Sequence, residues 1–142
     1  MSKRLSSKDF YEVYSKVPRL CVDLVVQNKD GILFTLRNIP PALRFWHLPG
    51  GTVLYKESLE EAVRRIAKEE LGIEIRIIKN LGAIEYLDDK TTIFGHSISV
   101  AFLVTLKEGR IKLDNQSSEF KFFKKIPEKT LKEQKAFLKR NF

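Results

Sequence analysis

Apolar and polar residues follow two periods along this chain, and the changes between them mark its elements. Ser6-Ser7-Lys8-Asp9 offers an N-cap with an acidic first turn. Phe10, Val13, Tyr14 and Val17 then recur at helical spacing until Pro18, which predicts a short N-terminal helix. Residues 19–28 are apolar and β-branched, Lys29-Asp30-Gly31 is turn chemistry, and residues 32–37 read as a second strand, so the pair forms a hairpin. Asp23 interrupts the first strand and falls on the face opposite Leu20, Val22, Leu24 and Val26. Residues 38–45 carry Pro40 and Pro41 and make a loop into Trp46-His47-Leu48, after which Pro49-Gly50-Gly51 turns sharply.

Residues 58–71 contain no Gly or Pro and place Leu59, Ala62, Val63 and Ile66 on one stripe. Gly72 then suits the position just past a helix end, so this is the most clearly marked helix. Beyond it, residues 74–87 and 92–107 are strand-like runs joined by Asp88-Asp89-Lys90, with a short strand expected at 111–113 and a last one at 119–125. Pro127 is expected to open a C-terminal helix over 128–140. The order predicts an α+β fold, a mixed or antiparallel sheet covered by helices. No repeat, low-complexity tract or linker divides the sequence, so residues 1–142 are expected to form one domain.

Composition narrows the classes open to such a fold. With 43% hydrophobic and 31% charged residues over 142 positions, the chain can bury one core without disulfide or metal staples, and it is neither disordered nor fibrous. Its apolar runs fall far short of the roughly 20 residues needed to span a bilayer. The charged N-terminus has no apolar stretch behind it, so no secretory signal is read and a cytoplasmic location is expected. The single cysteine, Cys21, cannot pair within the chain and reads as a buried thiol in a reducing compartment. A net charge of +8 favours anionic ligands and leaves phosphate-bearing substrates, nucleic acid and acidic membranes open. The C-terminal lysines lack interleaved stacking aromatics and read as a solvated face.

The 58–71 helix has an unusual end. Glu70 lies about 40° from Ile66 on the helical wheel and so points where a core residue would. Both Glu69 and Glu70 stand in the last turn, where the helix dipole disfavours each by roughly 0.3–1 kcal/mol. Either Arg64, Arg65 and Lys68 neutralise them on a solvated face, or their hard oxygens hold a cation such as Mg²⁺ beside a phosphate.

From Gly51 the chain runs five residues to Glu57, seven more to Arg65, then Ile66-Ala67-Lys68-Glu69-Glu70-Leu71-Gly72-Ile73. This pattern resembles the Nudix box, a loop and helix that bind divalent metal for hydrolysis of nucleoside diphosphate derivatives. Ile66 departs from it, standing where the box has its first metal-side glutamate, and Ala67 is a small occupant of an apolar site. Asp9-Phe10, Asp23, Asn28, Gly31, Arg37-Asn38, Pro40-Pro41-Ala42, Trp46, Pro49-Gly50-Gly51, Asp114-Asn115-Gln116 and residues 119–123 look like the GDP-mannose mannosyl hydrolase branch of that superfamily, which carries an aliphatic residue at position 66.

The resemblance implies a Nudix-type α/β/α sandwich with a mixed central sheet. It implies one Mg²⁺, with Mn²⁺ as an alternative, held by Gly51, Glu70 and Gln116. It puts Arg37 at the substrate diphosphate, Asp23 on the substrate side, Glu69 below Glu70 among the catalytic carboxylates, and Glu57 and Arg65 in a structural tie between loop and helix. It further implies a nucleotide-sugar substrate; apart from the resemblance, a homodimer is one expectation, and the short apolar runs and solvated lysines speak against membrane and nucleic acid as partners. The branch has a histidine as general base after its glutamine, where this chain has Ser117, and serine has no useful basicity near neutral pH. Three activities therefore stay open: attack of water at the sugar carbon, cleavage of the diphosphate, and nucleotide or RNA binding without catalysis.

Overall fold

The computed structural model of the chain describes residues 4–114 and 117–142. Its elements are α1 (Ser7–Tyr14), β1 (Arg19–Asn28), β2 (Gly31–Arg37), β3 (Trp46–His47), β4 (Gly50–Thr52), α2 (Leu59–Leu71), β5 (Glu74–Tyr86), a 3₁₀ turn (Ile93–Gly95), β6 (Ser97–Glu108), β7 (Ser117–Phe123) and α3 (Lys132–Asn141). The sheet runs β3-β2-β1-β6-β5, with β4 added to β1 and β7 to β2. It is mixed: β1 lies parallel to β6, and the other pairings are antiparallel.

Two cores sandwich β1. Val22, Leu24 and Val26 pack against Ala62, Val63, Ile66 and Leu71 of α2. Val25 on the other face joins Phe34, Leu48 and Tyr86 under Phe137 and Leu138 of α3. The expected three-layer α/β/α arrangement results. Cys21 to Val26 are all buried, so β1 is covered on both faces, while Leu20 at its start is 44% exposed rather than part of the apolar face. Among the described residues no helix is long and apolar enough to cross a membrane.

Helix α2 forms where its local signals agree. Ser58 accepts from the Glu61 N–H while the Glu61 carboxylate accepts from the Ser58 N–H, a capping box that stabilises the first turn by about 1 kcal/mol. At the other end Gly72 takes the left-handed φ of 67° and returns its N–H to the Lys68 carbonyl.

Four local expectations are corrected by contacts remote in sequence. Gly50 and Gly51, read with Pro49 as a turn, form β4 together with Thr52 because residues 50–52 pair with Cys21–Asp23. The strand expected from residue 92 starts only at Ser97, because residues 92–96 curl into the 3₁₀ turn. Phe94 there adopts φ 60° and packs its ring on Phe10 and Tyr11 of α1. Residues 111–113 form no strand. The Lys112 and Asp114 amides instead donate to the Leu71 and Glu70 carbonyls, which α2 leaves without helical partners. The C-terminal helix starts at Lys132, not at residue 128, because Lys129 and Leu131 exchange backbone hydrogen bonds with Trp46 and extend the sheet edge first.

Candidate functional site

A cleft of about 1040 Å³ opens on the β1 face that carries Arg19, Cys21 and Asp23. Gly50 and Gly51 of β4, the last turn of α2, and the facing ends of β2 and β7 close it. The sequence-derived residues Asp23, Arg37, Gly51, Glu69 and Glu70 all line this one cleft, and so does Ser117. Gln116 lies outside the described residues.

The entry loop is clasped to α2 by one ion pair. Arg65 donates to both Glu57 oxygens, from Nε at 2.7 Å and Nη2 at 3.0 Å, and Nη2 also reaches the Thr52 carbonyl at 2.8 Å. Glu57 in turn accepts from the Leu54 N–H at 3.0 Å. Desolvation raises the Glu57 carboxyl, but these donors outweigh it and hold the pKa below the usual carboxylate value. The side chains are 6% and 19% exposed, so the charges are largely removed from water but mutually satisfied. Glu57→Gln is expected to lower unfolding stability at pH 7 by about 2 kcal/mol through a weakened buried pair. Because the folded pKa is depressed, that difference from wild type is full above the unfolded value of 4.5 and fades as pH falls through the folded pKa. Denaturant titrations at pH 7 and pH 3 check this, and equal midpoints at pH 7 would rule the clasp out.

Glu69 and Glu70 are adjacent in sequence and opposite in environment. Glu69 pairs with Arg65 at 3.0 Å and with Arg4, so despite desolvation its pKa is lowered. Glu70 is half-buried. Burial pushes its carboxyl up to about 8, with Asp114, Asp23 and Glu69 adding to the rise and the Gly50 N–H opposing it. An added Cβ on Gly51 would stand 3.1 Å from Ile66 Cδ1, which would have to shift slightly, and in ordinary contact 3.6 Å from Glu70 Oε2, so the Gly51 backbone lies close to the carboxylate. Ile66 is 1% exposed and fills the helix face one turn before Glu70.

This surplus of negative charge fits a hard divalent cation, since a dication reverses the repulsion that raises Glu70. Among the described residues no three His, Cys, Asp or Glu side chains could hold a metal together. The donor set these residues could supply has fewer than three such side chains and is completed by neutral oxygens, as Glu70 with the Gly51 carbonyl would provide.

Arg37 sits at the opposite wall. Its Nε donates to the Ile39 carbonyl and its Nη2 to the Pro40 carbonyl, both at 3.1 Å, in a loop containing the cis Pro40-Pro41 bond. Burial lowers its pKa, and the Glu70 carboxylate acts the other way.

Asp23 heads a network that the sequence did not reveal. Tyr86 Oη donates to Asp23 Oδ2 at 2.7 Å, Gln134 Nε2 donates to Tyr86 Oη at 3.0 Å, and the Leu48 N–H donates to Gln134 Oε1 at 2.8 Å. Burial raises the Asp23 carboxyl to about 6 against the Tyr86 hydrogen bond and Arg19. Tyr86 and Gln134 come from β5 and α3, and no local pattern links them to β1. His47 also lines the cleft, yet burial pushes it down to about 4. Its Nδ1–H faces the Leu48 carbonyl at 2.8 Å, which leaves Nε2 to accept from Thr35 Oγ1 at 3.1 Å. Both ring nitrogens are thus engaged by the protein.

A NUDIX domain model matches residues 17–142. The low-salt glycan biosynthesis protein Agl8 of Haloferax volcanii is 36% identical over 124 residues, which cover 84% of this chain and 80% of that protein. An ADP-ribose pyrophosphatase of Methanocaldococcus jannaschii is 33% identical over 106 residues, 75% of this chain and 62% of that enzyme. The solved MutT NUDIX hydrolase of Burkholderia pseudomallei shares the fold with a TM-score of 0.79 at 23% identity, covering 89% of this chain and 99% of that one. The box spacing, the three-layer fold and these matches agree, and the chain belongs to the Nudix hydrolase family.

Proposed function

We propose that this chain hydrolyses a nucleoside diphosphate sugar of the GDP-mannose kind, with water attacking the anomeric carbon of the sugar. The observation that carries the reading is the buried Ile66 beneath Gly51, which leaves Glu70 and the ion-paired Glu69 as the α2 carboxylates lining the cleft. An aliphatic residue at this position is what the mannosyl hydrolase branch shares. The Agl8 likeness supports a substrate of the nucleotide-sugar class.

Nudix hydrolases generally use Mg²⁺ or Mn²⁺. Here Glu70, Gly51 and Gln116 would hold the cation, whose Lewis acidity neutralises charge on the diphosphate leaving group. Arg37, steadied by two loop carbonyls that take Nε and Nη2, presents its Nη1 end to diphosphate oxygens. Asp23, oriented by Tyr86, accepts a hydrogen bond from a sugar hydroxyl. Glu69 keeps Arg65 and Arg4 in place beside Glu70.

Diphosphate cleavage is the second reading, and one observation favours it. Of the two histidines, His47 is neutral and locked, and His96 is not among the residues lining the cleft, so no imidazole is positioned as a base. The ADP-ribose pyrophosphatase likeness points the same way. Product analysis in ¹⁸O-labelled water decides between the two across GDP-mannose, ADP-ribose and related compounds, with and without Mg²⁺. Attack at carbon labels the sugar, and attack at phosphorus labels a phosphate. Turnover of none of them would point to a binding module.

Ser117→His is expected to raise GDP-mannose hydrolysis by about two orders of magnitude, because general-base catalysis contributes roughly 10²–10⁴-fold. The rate should climb with pH through an imidazole pKa near 6.5. An unchanged rate, with label in phosphate, would sink the mannosyl reading.

A further inference from the structure

Five cationic side chains line the cleft, and the protein engages four of them well. Arg4 pairs with Glu69, Arg65 with Glu57 and Glu69, Lys56 lies over the Tyr55 ring, and Arg37 donates to two carbonyls. Arg19 differs. Its Nη1 donates to Thr52 Oγ1 at 2.7 Å, while its Nε is buried with no partner among the described residues. No carboxylate lies within the 4.0 Å of an ion pair among the described residues.

A half-buried guanidinium with an orphaned N–H is costly unless something absent from the protein completes it. The position says what that is. Arg19 shares the cleft face of β1 with Asp23, and Thr52, which holds it, is the neighbour of Gly51. With Nη1 on Thr52, Nε has no partner among the described residues, and the edge it forms with Nη2 matches two oxygens of one phosphate. Arg19 and Arg37 are also close enough for their like charges to oppose each other, a repulsion that an anion shared between them removes. A sugar hydroxyl carries no charge and could not do so.

We propose that Arg19 is a second phosphate-binding residue of the cleft, gripping the substrate diphosphate together with Arg37 and aimed by the Thr52 hydroxyl. The inference rests on reading the cleft as a nucleoside diphosphate site, and its test separates the two. Calorimetric titration of GDP and ADP, each with Mg²⁺, is carried out on wild type, Arg19→Leu, Arg19→Lys and Thr52→Val, with a thermal melt of each. Arg19→Leu is expected to weaken the diphosphate that binds by about 10- to 100-fold, the usual range for a lost charge-assisted hydrogen bond. Arg19→Lys should recover part of that, and Thr52→Val should lose only a few-fold.

Arg19-dependent binding of ADP with none of GDP would uphold this inference while overturning the GDP-mannose reading. Wild-type affinity in Arg19→Leu would overturn Arg19 alone. If Arg19→Leu melts early, Arg19→Lys and Thr52→Val decide, and wild-type affinity in both refutes the assignment. A wild-type protein that binds neither diphosphate refutes both readings.

Discussion

Glu70→Gln is expected to cut divalent-cation-dependent turnover by two or more orders of magnitude while leaving the fold intact. The amide keeps the size and one acceptor oxygen but removes the charge that a dication needs, a loss of a few kcal/mol of transition-state stabilisation. The same substitution should stabilise the metal-free protein, and the sign follows from the titration. Glu70 has a folded pKa of about 8 against an unfolded value of 4.5, so between them the folded chain holds more protons than the unfolded one. Stability of the metal-free protein therefore falls as pH rises through that window, with Asp23, shifted from 3.8 to about 6, acting in the same direction at its lower end. Glu70→Gln removes its share of the fall. Melting curves from pH 5 to 8 in chelator, alongside rates at limiting Mg²⁺, test both halves. Full turnover of the variant at limiting Mg²⁺ would refute the assignment of Glu70.

Ile66→Glu is expected to be the most damaging single change in stability, about 3–5 kcal/mol without metal. It deletes an apolar side chain that is 1% exposed and packed beneath β4, and it puts a second carboxylate one turn from Glu70, which is already short of compensation. Millimolar Mg²⁺ should recover part of the loss by screening the paired carboxylates. Denaturant midpoints in chelator and in Mg²⁺ read this directly. A variant as stable as wild type in both would contradict the packing of α2 against Gly51.

Helix α2 was legible because its determinants are local, whereas the Glu57–Arg65 clasp was reached through the resemblance. The apolar stripe and the terminal glycine lie within a few turns of one another, and the Ser58 cap that the structure adds stands at the same helix's start. The hairpin of β1 and β2 was legible for the same reason. What local pattern could not supply was the competition for backbone groups. Residues 111–113 have strand-like side chains, yet their amides are drawn to the end of α2. Residues 127–131 carry helix signals, yet Trp46 takes their hydrogen bonds first.

In the cleft, Asp23, Arg37, Gly51, Glu69 and Glu70 were reached from spacing and resemblance, and all of them line it. Arg4, Arg19, Tyr86 and Gln134 were not. Arg4 meets Glu69 across 65 positions, and Gln134 meets Leu48 across 86, distances over which no periodicity carries information. A weak signal did exist for Arg19, a charge opening an otherwise uncharged strand ahead of Asp23.

The relay from Leu48 through Gln134 and Tyr86 to Asp23 ties the history of two distant stretches of sequence together. A change that resettles α3 reaches an acid on β1 through two side chains, without touching any residue that would be recognised as functional. The seating of the C-terminal helix therefore bears on where the Asp23 carboxylate stands in the cleft.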